Sequence, residues 1–231
     1  MAEPRTHGSA DLSEFRHRLA ELRANLTPPT AAGEFVASTD GACLGNPDGP
    51  GGWAAVIDGP GPIGLAHWEL WGSLTSTTNN RAEALGVLGA LEWLPANSRL
   101  HVRSDSELTI KVLLGAYKAK ANPEVWAEIR RLLADKAIQV QPEWVRGHAG
   151  DPGNELADRL SKLGALRGDA GALAQLQAPV RRAVPDELAG LVPRGAWETE
   201  FLRSIADQLR RGRSLSPRQQ AQVDRIRARG G

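Results

Sequence analysis

Cysteine is almost missing from this chain. Cys43 is the single one in 231 residues, which excludes an internal disulfide framework and a cysteine-rich zinc site. Long apolar runs are missing too: none approaches the ~20 residues needed to cross a bilayer, so no membrane partner is expected. No apolar h-region follows Met1-Ala2-Glu3-Pro4-Arg5, so no secretory leader is expected and the default location is the cytoplasm. No internal repeat is visible. Lysine disappears after Lys162, leaving arginine as the sole strong base of the tail.

What is present is enough for a packed core. The hydrophobic share is 41%, and the length suits one domain of ordinary size with appendages. The net charge of +1 conceals an uneven distribution. Lys+Arg against Asp+Glu is 4 to 4 over residues 1–33, 12 to 16 over 34–166, and 12 to 7 over 167–231. An acidic centre beside a basic tail hints at an anionic partner.

Leu12, Phe15, Leu19, Leu22 and Leu26 recur at spacings of three and four, predicting a helix over 11–26, and Thr27-Pro28-Pro29 begins a linker to Gly33. Strand-like runs follow at 34–39, 52–58 and 63–71, separated by Gly/Pro-rich turns. A helix over 80–94, a strand over 99–104, a helix after Asp105, a helix over 123–135, a strand over 138–145 and a helix over 152–166 complete the series. Five strands interleaved with helices in this order predict an α/β fold, a five-stranded mixed sheet flanked by helices. Residues 167–196 read as a linker. Residues 197–231 read as an arginine-rich helical module, with Pro217 at the first position of its last helix.

Four acidic residues stand in distinctive settings. Asp40 ends the extended run 34–39 and opens a Gly-rich turn, and Asp105 ends the strand before it. Glu83 lies in the first turn after Thr77-Thr78-Asn79-Asn80-Arg81-Ala82, and Asp158 lies in Asn154-Glu155-Leu156-Ala157-Asp158. Carboxylates at strand ends and first helical turns of an open α/β sheet share one crevice. Unpaired they repel, and a hard oxygen-seeking cation such as Mg²⁺ removes the conflict. Around them, Asp40 to Trp53 is rich in glycines that allow close backbone approach. The run of amide and hydroxyl side chains at 77–80 suits hydrogen bonding to bases, ribose or phosphate. Helix capping explains those residue types but not four in a row. Ser104-Asp105-Ser106 is a weaker signal, since it also makes a good N-cap. His148, on a glycine-flanked loop before the last helix, can move protons near neutral pH. His7, His17, His67 and His101 have no comparable setting.

These four segments together resemble type 1 ribonuclease H, over residues 34 to about 166. The strings Thr77-Thr78-Asn79-Asn80-Arg81-Ala82-Glu83 and His148-Ala149-Gly150 through Asp158 carry most of the likeness. The resemblance implies a ribonuclease H-like fold and an endonuclease acting on the RNA strand of RNA–DNA hybrids, leaving 5′-phosphate and 3′-hydroxyl ends. It makes Asp40, Glu83, Asp105 and Asp158 the metal ligands, with Asp40 bridging two Mg²⁺ ions about 4 Å apart. Mn²⁺ is a substitute on hard-ligand grounds. It makes His148 the group that assists proton transfer or product release, supported by Glu155. It places Gly45, Asn46, Asn79, Asn80 and Glu83 along the RNA strand, where the 2′-hydroxyl is sensed. Thr78 falls at a DNA phosphate and Ser106 at a further substrate contact.

The sequence departs from the family pattern in two places. Glu107 stands where the family often has glutamine. The basic, tryptophan-rich protrusion of many bacterial members is reduced to Gly115–Pro123 with Lys118 and Lys120. Phosphate neutralisation dominates nucleic-acid affinity, so the arginine-rich module is the candidate for an accessory contact to nucleic acid or protein. Two other readings compete with hybrid cleavage: a hybrid-binding adaptor with a decayed site, and a DNA strand-transfer nuclease sharing the fold and acids.

Overall fold

The computed structural model describes residues 12–61, 64–167, 185–210 and 213–229. Its elements are α1 (Ser13–Asn25), β1 (Glu34–Cys43), β2 (Gly49–Gly61), β3 (Gly64–Thr77), α2 (Asn79–Trp93) and β4 (Arg99–Ser104). They continue with α3 (Glu107–Leu113), α4 (Pro123–Asp135), β5 (Gln139–Trp144), α5 (Pro152–Ala165), a 3-10 turn (Asp186–Leu188), α6 (Ala196–Arg210) and α7 (Pro217–Ala228). The strands form one sheet in the order β3-β2-β1-β4-β5. β1 pairs antiparallel with β2 and β2 with β3, while β1–β4 and β4–β5 are parallel. This is the expected mixed α/β sheet. Residues 1–11 at the start of the predicted N-terminal segment, 168–184 of the predicted linker, and Arg211 lie outside the described residues.

Alternation along the strands divides the sheet into two faces. Phe35, Ala37, Trp53, Ala55 and Ile57 point to one side, into a cluster with Leu85, Leu88 and Leu91 of α2 and Val125 and Ile129 of α4. Ala54 and Val56 point to the other, against Leu156, Leu160 and Leu163 of α5. Ser38 pairs across the ladder with Val56, Asp40 with Ala54, and Asp58 with His67. All of these therefore lie on the α5 side. One face is largely apolar, with Thr39 a buried polar residue on it, and the other is apolar under α5 and charged beside it.

Three boundaries differ from expectation. Asp40 lies within β1 rather than at its end, because the ladder with β2 runs on to Cys43 opposite Gly51. The glycines there, read as a turn, are strand residues that let a helix approach: a Cβ at Gly52 would lie 2.2 Å from the Ser161 carbonyl oxygen of α5. The N-terminal helix, expected as an appendage, is packed into the main core. Phe15 is 2% exposed and meets Trp53 at 4.9 Å between ring centroids. Arg18 donates to the Trp71 carbonyl at 2.9 Å. Finally, the predicted linker ends early. Leu188 and Leu191 are buried with Leu65, Leu202, Ile205, Val223 and Ile226 in a second apolar cluster. The start of α7 follows expectation, with Pro217 in the first turn and a Ser216–Gln219 capping box.

Phe15→Ala removes a buried ring from contact with Trp53. It is expected to lower unfolding stability by about 3–5 kcal/mol in denaturant titration, against less than about 1 kcal/mol for an appendage resting on the surface. A second expectation concerns His67, held between Asp58 at 2.7 Å and Glu69 at 3.3 Å. Burial opposes charge on this ring, but the two carboxylates outweigh it and raise its pKa from 6.5 to about 9. A raised folded-state value means the stabilisation is complete below pH 6.5 and lost as pH rises to about 9. Its size is on the order of 3 kcal/mol. Unfolding free energy measured across that window should fall, and His67→Gln should flatten the slope.

Candidate active site

β1 brings Asp40 to the centre of the sheet, α2 brings Glu83 in its first turn, and Asp105 follows directly after β4. Their approach depends on Gly41. A Cβ there would stand 2.1 Å from the Glu83 backbone nitrogen and 2.3 Å from the Ala82 carbonyl carbon. Glycine lets the first turn of α2 rest on β1, and Asp40 and Glu83 become neighbours. Among the described residues, Asp40, Glu83 and Asp105 form a group in which one carboxylate oxygen from each lies within 4.8 Å of the others.

Asp158 is not in that group. Its carboxylate pairs with Lys162 one turn along α5, at 2.7 Å. It still acts on the group through charge. Burial is the largest cause raising the Asp40 pKa, from 3.8 to about 6, with the Asp105 and Asp158 charges adding to it and a Ser161 hydrogen bond opposing. Glu83 is pushed well above the ordinary carboxylate range, first by burial and then by the charges of Asp40, Asp105 and Asp158. Ser161 donates to Asp40 Oδ2 at 2.5 Å. Glu83 Oε2 is buried without a hydrogen-bond partner.

These facts test whether a hard divalent cation fits. An all-oxygen donor set, carboxylates raised by burial and then by mutual repulsion, and an orphaned buried acceptor all lose their cost when such an ion enters. The residues fit the group.

The neighbouring elements assemble the rest. Asp105 is secured by Trp144 Nε1, which donates to its carbonyl at 3.1 Å, and by Asn154 Nδ2, which donates to Oδ2 at 3.3 Å. The loop before α5 runs close past it: a Cβ at Gly147 would lie 2.6 Å from Asp105 Oδ2. His148, exposed on that loop, has a left-handed φ of 54°. Glu155 is exposed on the first turn of α5. At the other end, Asn46 Oδ1 accepts from the Asn79 backbone N–H at 3.2 Å, joining the β1–β2 turn to α2. Gly45 in that turn has φ 67°.

Thr78 caps α2 by accepting from Arg81 N at 3.2 Å, so Asn79 and Asn80 are released from capping and stand exposed. Ser106 caps α3 and donates to Thr109 Oγ1 at 3.0 Å. Glu107, the departure noted above, is turned to Lys111 at 2.6 Å. From Asn80 a cleft of about 650 Å³ runs to Asn46 and Asn122. A second, of about 520 Å³, runs past Leu108, Tyr117 and Trp126 with Lys118 and Lys120 on its wall.

Several contributors went unread in the sequence. Ser161 lies three residues after Asp158, so helical phase alone places it on the same side of α5. Asn154 stands within a quoted string, yet only the fold brings it to Asp105. Ser104, which accepts from Ser106 N at 3.1 Å and hydrogen-bonds Glu83, had no separate signal.

A family model described as RNase H matches residues 33–166. Ribonuclease H of Acidovorax sp. (strain JS42) is 38% identical over 144 residues, covering 57% of this chain and 94% of that protein. Ribonuclease H of Polaromonas sp. (strain JS666 / ATCC BAA-500) is 36% identical over 162 residues, 64% of this chain and 97% of that protein. Among solved structures, the N-terminal RNase H domain of a Mycobacterium tuberculosis protein, solved as a fusion with maltose-binding protein, aligns with a TM-score of 0.50. It is 25% identical and covers 61% of this chain and 99% of that one.

Gly41→Ala forces a methyl group against the backbone of α2, which cannot yield as a side chain does. A stability loss of about 1–3 kcal/mol is expected in denaturant titration. Weaker divalent-cation binding by calorimetry should accompany it, since Asp40 and Glu83 are moved apart.

Proposed function

Given that the chain belongs to the ribonuclease H family, we propose that it is a metal-dependent endonuclease hydrolysing the RNA strand of RNA–DNA hybrids. Mg²⁺ is the preferred ion, with Mn²⁺ a substitute, and the products carry 5′-phosphate and 3′-hydroxyl ends. The observation that carries this reading is the set Asp40, Glu83 and Asp105 within 4.8 Å, with the Glu83 Oε2 acceptor buried and unpartnered. Asp158 joins them as the fourth ligand once its carboxylate turns from Lys162. When bound, a pair of hard divalent ions supplies the positive charge that an in-line phosphoryl displacement needs at both its attacking and its leaving oxygen.

The chain's own residues do the remaining work. Ser161 holds Asp40 Oδ2 by its hydroxyl and so restricts the rotation of that carboxylate. Asn154 orients Asp105 in the same way. His148, exposed on the loop whose Gly147 runs close past Asp105, exchanges a proton with the leaving group or solvent, with Glu155 of α5 in support. Gly45, Asn46, Asn79 and Asn80 present amide groups and an open backbone to the strand bearing 2′-hydroxyls. Thr78 accepts from Arg81 N and so keeps its own hydroxyl proton for a DNA phosphate, and Ser106, directly after Asp105, makes a further substrate contact. Lys118 and Lys120, exposed beside the cleft at Tyr117, neutralise backbone phosphates.

The test is cleavage by the full chain of labelled RNA–DNA hybrid, duplex DNA and duplex RNA, with Mg²⁺ and with a chelator. Hybrid alone should be cut, in its RNA strand, and chelation should stop it. Asp40→Asn should lower the rate by roughly 10³-fold, about 4 kcal/mol of transition-state stabilisation, with circular dichroism and hybrid binding preserved. Wild-type activity in Asp40→Asn would sink the site assignment. Equal cutting of duplex DNA would favour the strand-transfer reading, and binding without cutting would favour the adaptor.

A further inference from the structure

Helix α6 covers the charged half of the α5-side face. Its N-terminus is fixed at the start of β1, where the Ala196 N–H donates to the Glu34 carboxylate and Thr199 Oγ1 donates to the Glu34 carbonyl at 3.2 Å. Two turns further on, Arg203 is 6% exposed, its guanidinium pressed between the sheet and α5. Nε lies 3.1 Å from Asp58 Oδ2 on β2, and Nη2 donates to Ser38 Oγ on β1 at 3.1 Å. Ser38 is two residues before Asp40, so Arg203 sits one side-chain row from the metal-site acid on the same face. Nη2 also reaches Asp151 Oδ1 at 3.5 Å. At Gly153, in the first turn of α5, a Cβ would fall 1.2 Å from Nη2. The missing side chain there makes the room that the guanidinium fills.

Asp151 is the residue through which this contact reaches the site. It caps α5 by accepting from Asn154 N at 2.8 Å, and Asn154 in turn donates to Asp105 Oδ2. It closes the loop carrying His148, three residues earlier. Its second oxygen is paired with Arg103 of β4 at 2.8 Å, and Arg103 is itself held by Glu200 of α6 at 3.0 Å. Helix α6 thus supplies two groups, Arg203 and Glu200, to one network of ion pairs that ends on the N-cap of α5.

We propose that Arg203 is a positioning residue for the cleavage site. Through Asp151 and the first turn of α5 it sets the His148 loop and the Asn154–Asp105 contact. The C-terminal helical pair is thereby part of the catalytic unit, although the RNase H match ends at residue 166. The catalytic half of this statement rests on the hybrid-cleavage reading above; the structural half does not.

The experiment compares the full chain with Arg203→Met, Arg203→Lys and Gly153→Ala. Arg203→Met strips partners from Asp58 and Asp151 and risks unfolding. Gly153→Ala keeps every charge, favours helix, and displaces the guanidinium by sterics alone. Hydrogen exchange of the metal-free proteins is read at Arg146–Glu155 and, for reference, along α2. Arg203→Met and Gly153→Ala should speed exchange at Asn154 and Glu155 by about 10-fold or more while α2 keeps its protection. On hybrid substrate, kcat should fall by about 10-fold with KM within about twofold, since a displaced group costs rate more than affinity. Arg203→Lys should recover part of both.

Unchanged exchange at 146–155 in Gly153→Ala overturns the proposal. So does exchange raised evenly through α2 and α5 with kcat retained, which is the mark of a purely structural contact. If the wild-type chain does not cut hybrids, the functional reading fails by itself, and the exchange comparison still decides whether Arg203 holds the loop.

Discussion

Three carboxylates forced together in a half-buried crevice are the constraint around which this protein is organised. Asp40, Glu83 and Asp105 come from three elements far apart in sequence, and nothing in their own chemistry favours the meeting. Burial and like charge push Asp40 and Glu83 up towards their neutral forms, so the assembled site works against folding until a cation enters. Its geometry is held by groups with no role in charge: Gly41, which lets α2 rest on β1, and the hydroxyl of Ser161. The energy that offsets the repulsion comes from elsewhere. It comes from the apolar side of the sheet, where Trp53, Phe35 and the leucines of α2 are buried together.

The two faces of the sheet divide the labour. The α2 side is a largely apolar layer, to which α1 adds Phe15 and Leu19. The α5 side changes character along its width, from aliphatic contacts under α5 to Asp58, His67, Arg103 and Arg203 under α6. Buried charges are weak sources of stability but strong sources of geometry, because each hydrogen bond admits few orientations. A network of that kind next to a metal site suits positioning better than it suits strength. Arg203 also bears on the basic tail. It is committed to acids of the core, and Arg229 and Arg227 are paired within the module, to Glu198 and Asp224. The arginines left facing solvent, such as Arg213 and Arg218, are the ones available to an outside anion.

Much was legible before any coordinates. The strand-like runs at 34–39 and 52–58 set off by Gly/Pro-rich turns, the helices over 80–94 and 123–135, the N-cap pattern at Ser106, and Pro217 at the start of the last helix placed most elements within a few residues. The misplaced boundaries share a cause. At 49–52 the sequence is Gly-Pro-Gly-Gly, which local chemistry assigns to a turn. The strand persists there, and at Gly52 it meets α5 where any side chain would strike the helix backbone, a demand that arises only in three dimensions. The N-terminal helix was read correctly as a helix, but its amphipathic pattern could not name Trp53 as the surface it covers.

The sequence by itself determined which residue types are present for the chemistry: four acids and a loop histidine in recognisable strings, beside a single cysteine. Those are local properties, carried by neighbours within a few positions. Tertiary structure alone decided which of those acids meet and that Arg203 reaches Asp151 across 52 residues. The physical reason is the same throughout. Periodicity and capping act over one or two turns of chain, whereas distances between carboxylates and buried ion pairs are set by how sheet faces and helices pack.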